Sequence, residues 1–178
     1  GTVEFSPAGE DDWVLANINR PLTAGDRLWA DSDARAEIQV GGATVRMSAG
    51  TAVSILNLDD RIAQLQWTQG TLHVRVRRLG PNQTFEVDTP NLAFTLRSAG
   101  TYRIDVDPER DATTIMVRKG QGEAYGEGAA YAIDSRRQYR FTGTGLRDVE
   151  SIDSPRADEF DRWADERFAW PPPRDPDR

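Results

Sequence analysis

The sequence predicts an all-β fold, a jelly-roll or β-roll-like sandwich of about a dozen short strands followed by one C-terminal amphipathic helix. Three observations predict it. Apolar side chains recur at every second residue through the middle of the chain: Leu72, Val74, Val76; Phe85, Val87; Leu92, Phe94, Leu96. That spacing belongs to extended segments with one face buried and one face wet. Turn residues punctuate the chain at intervals of roughly 8–12 residues, as in sandwiches and barrels. Between Gly1 and Gly145 no segment carries the 3.6-residue period of a helix.

Taken in order, Thr2–Phe5 reads as a first strand and Ser6–Asp12 as a turn. Trp13–Asn19 extends as far as Arg20-Pro21, because a residue before proline avoids the helical region. Ala24-Gly25-Asp26 is a turn signal. Arg27–Ala30 and Arg35–Val40 are short strands around Asp31-Ser32-Asp33. Gly41-Gly42 is a two-residue hairpin turn into Ala43–Met47. Val53–Leu58 and Ile62–Trp67 flank Asp59-Asp60, and Gln69-Gly70 then turns into a separate strand, Thr71–Arg77. Gly80-Pro81-Asn82, Asp88-Thr89-Pro90 and Ala99-Gly100 separate the strands that follow. Tyr102–Val106 and Thr113–Val117 form the clearest hairpin, and Ala124–Tyr125, Ala130–Ile133 and Gln138–Phe141 are weaker strands.

Composition shifts near Leu146, dividing the chain into a β domain over residues 1–145 and a 146–178 region of linker, helix and charged, proline-rich tail. Asp148–Asp153 reads as an acidic linker. Ser154-Pro155 supplies an N-cap and a first helical residue. Asp158 and Glu159 suit the positive end of the helix dipole. Phe160, Trp163 and Phe168 fall at helical spacing and form the predicted helix interface, and Pro171-Pro172-Pro173 stops the helix. A short helix alone is marginal in water, so this one is expected to dock on the β domain.

The chain has 178 residues and a formal net charge of −7, which argues against a general nucleic-acid binder. With no cysteine there is neither a disulfide nor a thiolate metal site. His73, the single histidine, sits between Leu72 and Val74 on the side opposite the core. It is expected to be a surface residue, and no metal site or cofactor is predicted around it. Asp105, Asp107, Glu109 and Asp111 cluster at a hairpin tip. They are read as turn residues over a calcium loop, because Pro108 and Arg110 interrupt the ligand pattern. No carboxyl has the apolar neighbours that raise a general acid's pKa, so no catalytic residue is expected.

Two sets of binding residues are expected. Arg75, Arg77, Arg97 and Arg103 occupy outward strand positions; they either form a basic stripe for a polyanionic or acidic partner or pair with Glu86, Asp88 and Asp105. Trp13 and Trp29 either cap the sandwich or present aromatic faces to a sugar or a peptide. Trp67 alternates with Leu65 and Ala63 and is read as core.

The series Pro21-Leu22-Thr23-Ala24-Gly25-Asp26-Arg27, Ala34-Arg35-Ala36-Glu37-Ile38, Gly70-Thr71-Leu72-His73-Val74, Thr89-Pro90, Gly100-Thr101-Tyr102 and Val117-Arg118-Lys119-Gly120 resembles the FecR domain over roughly residues 22–141. Asn17-Ile18-Asn19-Arg20-Pro21-Leu22 and Glu159-Phe160-Asp161-Arg162-Trp163 are similar to segments of a subset of FecR-domain proteins from Gram-negative bacteria. Those proteins carry a signal peptide and a downstream tail rich in Trp, Gly, Tyr and Pro. The resemblance implies a periplasmic, extracytoplasmic domain and a chain trimmed at both ends. It implies protein binding, scaffolding or signalling in the bacterial envelope, without chemistry. The partner expected is an envelope protein or glycan, with no nucleic acid and no membrane span in this chain. A carbohydrate-binding module is the alternative, and a glycan-acting hydrolase a more distant one.

Overall fold

In a computed structural model the described residues are 3–6, 14–15, 22–31, 36–40, 42–48, 50–153 and 162. They form fifteen strands: β1 (Val3–Ser6), β2 (Val14–Leu15), β3 (Arg27–Ala30), β4 (Ala36–Val40), β5 (Ala43–Met47), β6 (Thr51–Leu58), β7 (Ile62–Val76), β8 (Thr84–Asp88), β9 (Ala93–Leu96), β10 (Gly100–Asp107), β11 (Ala112–Lys119), β12 (Gly122–Gly126), β13 (Ala129–Ile133), β14 (Arg137–Thr142) and β15 (Asp148–Asp153). The all-β expectation agrees with this architecture. The C-terminal helix, with Phe160, Trp163 and Phe168, lies outside the described residues, as does Trp13.

Two sheets share one strand. The first runs β13-β12-β9-β8-β7-β6-β3-β1-β2, and the second runs β4-β5-β7-β10-β11-β14-β15. The residue-62-to-66 end of β7 pairs in parallel with β8 and antiparallel with β6. Its residue-70-to-76 end pairs antiparallel with β5 and β10. The predicted break at Gln69-Gly70 is therefore wrong: Ile62 to Val76 is one 15-residue strand that passes from sheet to sheet. Gly70 makes the passage possible at a φ of +91°, a conformation that a Cβ disfavours. Trp67 secures the bend by donating its Nε1–H to the Gly70 carbonyl at 3.1 Å.

The apolar faces of the two sheets meet. Leu65, Trp67, Val87, Phe94 and Ala124 of the first are fully buried with Val45, Leu72, Val74, Ile104, Ile115 and Phe141 of the second. Aromatic edges bridge the layers: Phe94 meets Tyr102 at 6.0 Å between ring centroids, and Tyr131 meets Tyr139 and Phe141 at 5.5 Å each. The Tyr102 hydroxyl donates to the Ser98 carbonyl at 2.6 Å, so this buried phenol is satisfied.

Several turns are polar staples. The Asp26 carboxylate accepts the Thr23 N–H at 2.8 Å. Thr89 Oγ1 accepts from the backbone N–H groups of Asn91 and Leu92, each at 3.2 Å. Buried Asn91 then donates to the carbonyls of Asp111 at 2.8 Å and Gly143 at 2.9 Å, tying the β8–β9 turn to the far ends of β11 and β14. Asp148–Asp153 is not a linker. It pairs residue by residue with Arg137–Thr142, so the sheet continues past the predicted boundary at residue 145. Alternation is weak in that acidic stretch because it forms a sheet edge, where side chains need little burial.

Gly70→Ala is expected to lower the unfolding free energy by about 2 kcal/mol or more. It combines left-handed strain with a Cβ driven into the Thr51 side chain. Gly128→Ala carries the strain without the collision, because nothing lies within 4 Å of its Cβ position, and should cost about 1 kcal/mol. Urea unfolding of both variants tests the ordering.

Candidate functional site

The outward faces of the two sheets differ in charge. On the first sheet, Gln64, Glu86 and Asp88 come together because β7 and β8 run parallel with Gln64 opposite Glu86. The Gln64 amide donates to Glu86 Oε2 at 2.8 Å and to Asp88 Oδ2 at 2.7 Å. Desolvation pushes the Glu86 carboxyl up to about 7; a hydrogen bond to Asp88 and repulsion from it add to the rise, and the Gln64 amide opposes it. Sequence reasoning finds no buried or raised carboxyl, and the structure corrects this at two places: Glu86 is raised, and Asp26 is 2 % exposed. The signal that points to Glu86 is Glu-x-Asp on one strand, which puts two carboxylates on the same face. On the same sheet, Arg97 reaches Glu123 Oε2 at 3.3 Å, hydrogen-bonds the Tyr125 hydroxyl and lies 5.9 Å from that ring's centroid.

The second sheet is basic outside. Register aligns Arg46 opposite His73, His73 opposite Arg103, Arg103 opposite Met116 and Met116 opposite Gln138. The prediction that His73 lies on a wet surface fails: it is fully buried, with Arg46 beside it at 4 % exposure. Alternation does send His73 away from the core, but alternation cannot report what covers the outside. Arg46 donates to Glu37 Oε2 at 2.9 Å, and Arg103 donates to Asp105 Oδ2 at 3.1 Å. Arg77 donates to Thr44 Oγ1 at 3.1 Å.

Of the four predicted arginines, Arg75, Arg77 and Arg103 share the outer face of the second sheet. Arg97 does not; it follows β9 on the first sheet, because β8 pairs with the other half of β7 and β9 pairs with β8. Glu86 and Asp88 therefore lie on the opposite sheet from the other three arginines. Trp29 is half-buried on β3, and Trp67 is completely buried. In the acidic hairpin tip, Asp107 pairs with Arg110 at 3.7 Å and Asp111 accepts from Asn91 at 3.0 Å. Among the described residues no group of three or more His, Cys, Asp or Glu side chains is placed to hold a metal ion, and no helix is long and apolar enough to cross a membrane. A shallow, open cleft lies between Val40, Leu58, Arg61, Val76, Arg78 and Phe85.

The strand edges differ in how well they are guarded. β4 carries Glu37 and Gln39, β15 carries Asp148, Glu150 and Asp153, and β2 is two residues long. β13 is Ala-Ala-Tyr-Ala-Ile, uncharged and regular, with Ala130 and Ala132 exposed.

Comparison with known proteins places the fold. No family model and no curated protein matches the sequence. The structure is similar to a crystal structure of a protein from Parabacteroides distasonis provisionally designated an anti-sigma factor, with a TM-score of 0.65 and 15% identity over 78% of this chain and 64% of that one. A second crystal structure under the same description matches with a TM-score of 0.62 and 15% identity over 72% of this chain and 59% of that one. The chain thus spans about three fifths of the solved structures it matches. At this identity the likeness is one of fold.

A raised Glu86 has a signed consequence. The folded protein keeps a proton that the unfolded chain releases near the ordinary value of 4.5. Its contribution to stability is therefore full below that value, falls as pH rises to about 7 and is flat above. Glu86→Gln should remove this descent. Urea midpoints at pH 5 and pH 8 should show the wild type losing more stability than the variant; equal losses would count against the raised carboxyl.

Proposed function

We propose that this chain is an extracytoplasmic FecR-like domain of the bacterial envelope, which serves signalling by holding a partner protein and does no chemistry itself. The motif series over residues 22–141 supports the family, and the fold likeness to a provisionally designated anti-sigma factor supports a signalling context. The observation that carries the binding mode is the β13 edge. Among the described residues no strand pairs with its outer side. It lacks the charges, bulges and prolines with which sheet edges ordinarily repel a visiting strand.

An extended segment added there would gain main-chain hydrogen bonds. The Tyr131 contacts with Tyr139 and Phe141 hold the edge in place beforehand, so docking costs little ordering entropy. Arg97, Glu123 and Tyr125 flank it on the outer face and offer the visitor both charges and an aromatic ring. In this reading the alternating alanines are what lets a second strand approach.

A photo-crosslinking residue at Ala132, in the native cell, should yield a discrete protein adduct. The same residue at exposed Leu56 should not, and Ala130→Lys should abolish the adduct at Ala132 by charging the edge. Equal adducts at both positions would overturn the edge assignment. A change in Trp fluorescence on titration with cell-wall or lipopolysaccharide fragments would move the assignment to a carbohydrate-binding module.

A further inference from the structure

We propose that the strand received at the β13 edge is β13 of a second copy of this chain, paired antiparallel about a two-fold axis at Tyr131. The inference rests on the reading of that edge as a docking site and names its occupant.

Hydrogen-bond parity makes β13 receptive. β12 and β13 are joined by a two-residue turn, Glu127-Gly128, with Gly126 opposite Ala129. A two-residue turn is closed by a hydrogen-bonded pair, and bonded pairs alternate along an antiparallel ladder. Gly126 with Ala129, Ala124 with Tyr131 and Gly122 with Ile133 are therefore the bonded pairs. Ala130 and Ala132 turn their N–H and C=O groups the other way, where no described strand pairs with them.

That strand reads nearly the same from both ends. Turned about Tyr131, Ala-Ala-Tyr-Ala-Ile sets each Ala130 opposite the other copy's Ala132. Each such pair exchanges two N–H···O bonds, and the two-fold makes the pair twice. Both alanines are exposed on the outer face, where a methyl group leaves the approach open. On the inner face Ala129 comes opposite the other copy's Ile133, small against large, so the layer fills without collision. Tyr131 comes opposite its own counterpart as a non-bonded pair, the closer kind, and aromatic cross-strand pairs stabilise sheets. Its ring is half-buried and already fixed by Tyr139 and Phe141. Sliding the copies by two residues in either direction would match three residues of β13 in place of five.

Charge agrees at the ends. Continued past the strands, the same register sets Asp134 opposite Gly128, which has no side chain to repel it. It sets Glu127 opposite Ser135, one residue from the exposed Arg136. The acidic edge of the second sheet fails this test: two copies of β15 would bring Asp148, Glu150 and Asp153 against one another, and like charges across a ladder destabilise it. Five residues span about 17 Å, so the interface stays below about 1,200 Å², in the range of weak, reversible contacts.

The purified chain supplies the test, since a second copy is then the only protein present. On a Kd of about 0.1 mM, sedimentation velocity should show mostly monomer at about 10 µM and mostly dimer at about 1 mM. Ala132→Pro should stay monomeric at both. It removes an N–H that β12 does not use, so circular dichroism should not change. The chain has no cysteine, which allows a second measurement. Ala130→Cys mixed with Ala132→Cys should form an interchain disulfide about tenfold faster than Leu56→Cys forms with itself, because paired strands hold their Cα atoms within disulfide reach. A wild type that stays monomeric at the higher concentration, a dimer that persists in Ala132→Pro, or a mixed pair that links no faster than Leu56→Cys would each overturn the proposal. A monomeric purified chain beside a discrete adduct at Ala132 in cells would overturn the second copy and leave the edge assignment standing.

Discussion

One strand holds the architecture together. β7 bonds to β6 and β8 with its first half and to β5 and β10 with its second, so both sheets hang from a single backbone. Four neighbours on fifteen residues require the strand to change sheets without losing its hydrogen bonds. Gly70 bends where a side chain would be strained, and the Trp67 indole closes the bend from inside the core. The layering, the core and the placement of every outward residue follow from that passage. So does the separation of Arg97 from the other arginines: β8 attaches to one half of β7 and carries β9 with it, while β10 attaches to the other half.

The same passage produces two unlike surfaces. The first sheet turns an acid pair outward, with Glu86 and Asp88 sharing one amide donor. The second turns arginines outward and buries one of them, Arg46, beside His73. Buried cations are costly unless paired. Glu37 and Asp105 supply pairing from neighbouring positions on the sheet.

Much of the fold was legible because strands announce themselves by alternation and turns by their residue chemistry. The β4–β5 and β10–β11 hairpins, the buried Trp67 and the Asp26 and Thr89 turns all follow from short-range rules. Several residues that carry the family resemblance are structural here: Gly25-Asp26 and Thr89-Pro90 shape turns, Glu37 pairs with Arg46, and Gly100 sits where a side chain would strike the Lys119 carbonyl. They identify an architecture more directly than a site. Less was legible where alternation is silent. The 148–153 strand looked like a linker because an acidic edge strand has no apolar face to display, and Gln69-Gly70 looked like a turn because a glycine that bends a strand resembles one that ends it.

By itself the sequence determined which side chains point inward, where most turns fall and that the body is all β. Those properties depend on neighbours two to four residues apart, and period and turn chemistry encode them locally. Only the tertiary structure decided that β7 serves two sheets, that β8 runs parallel to it, that Gln64 stands beside Glu86 and Asp88, and that an outward-facing histidine is dry. These depend on residues brought together from twenty or more positions away, as Gln64 and Glu86 are. Periodicity says which face a residue takes and carries no information about what lies across from that face.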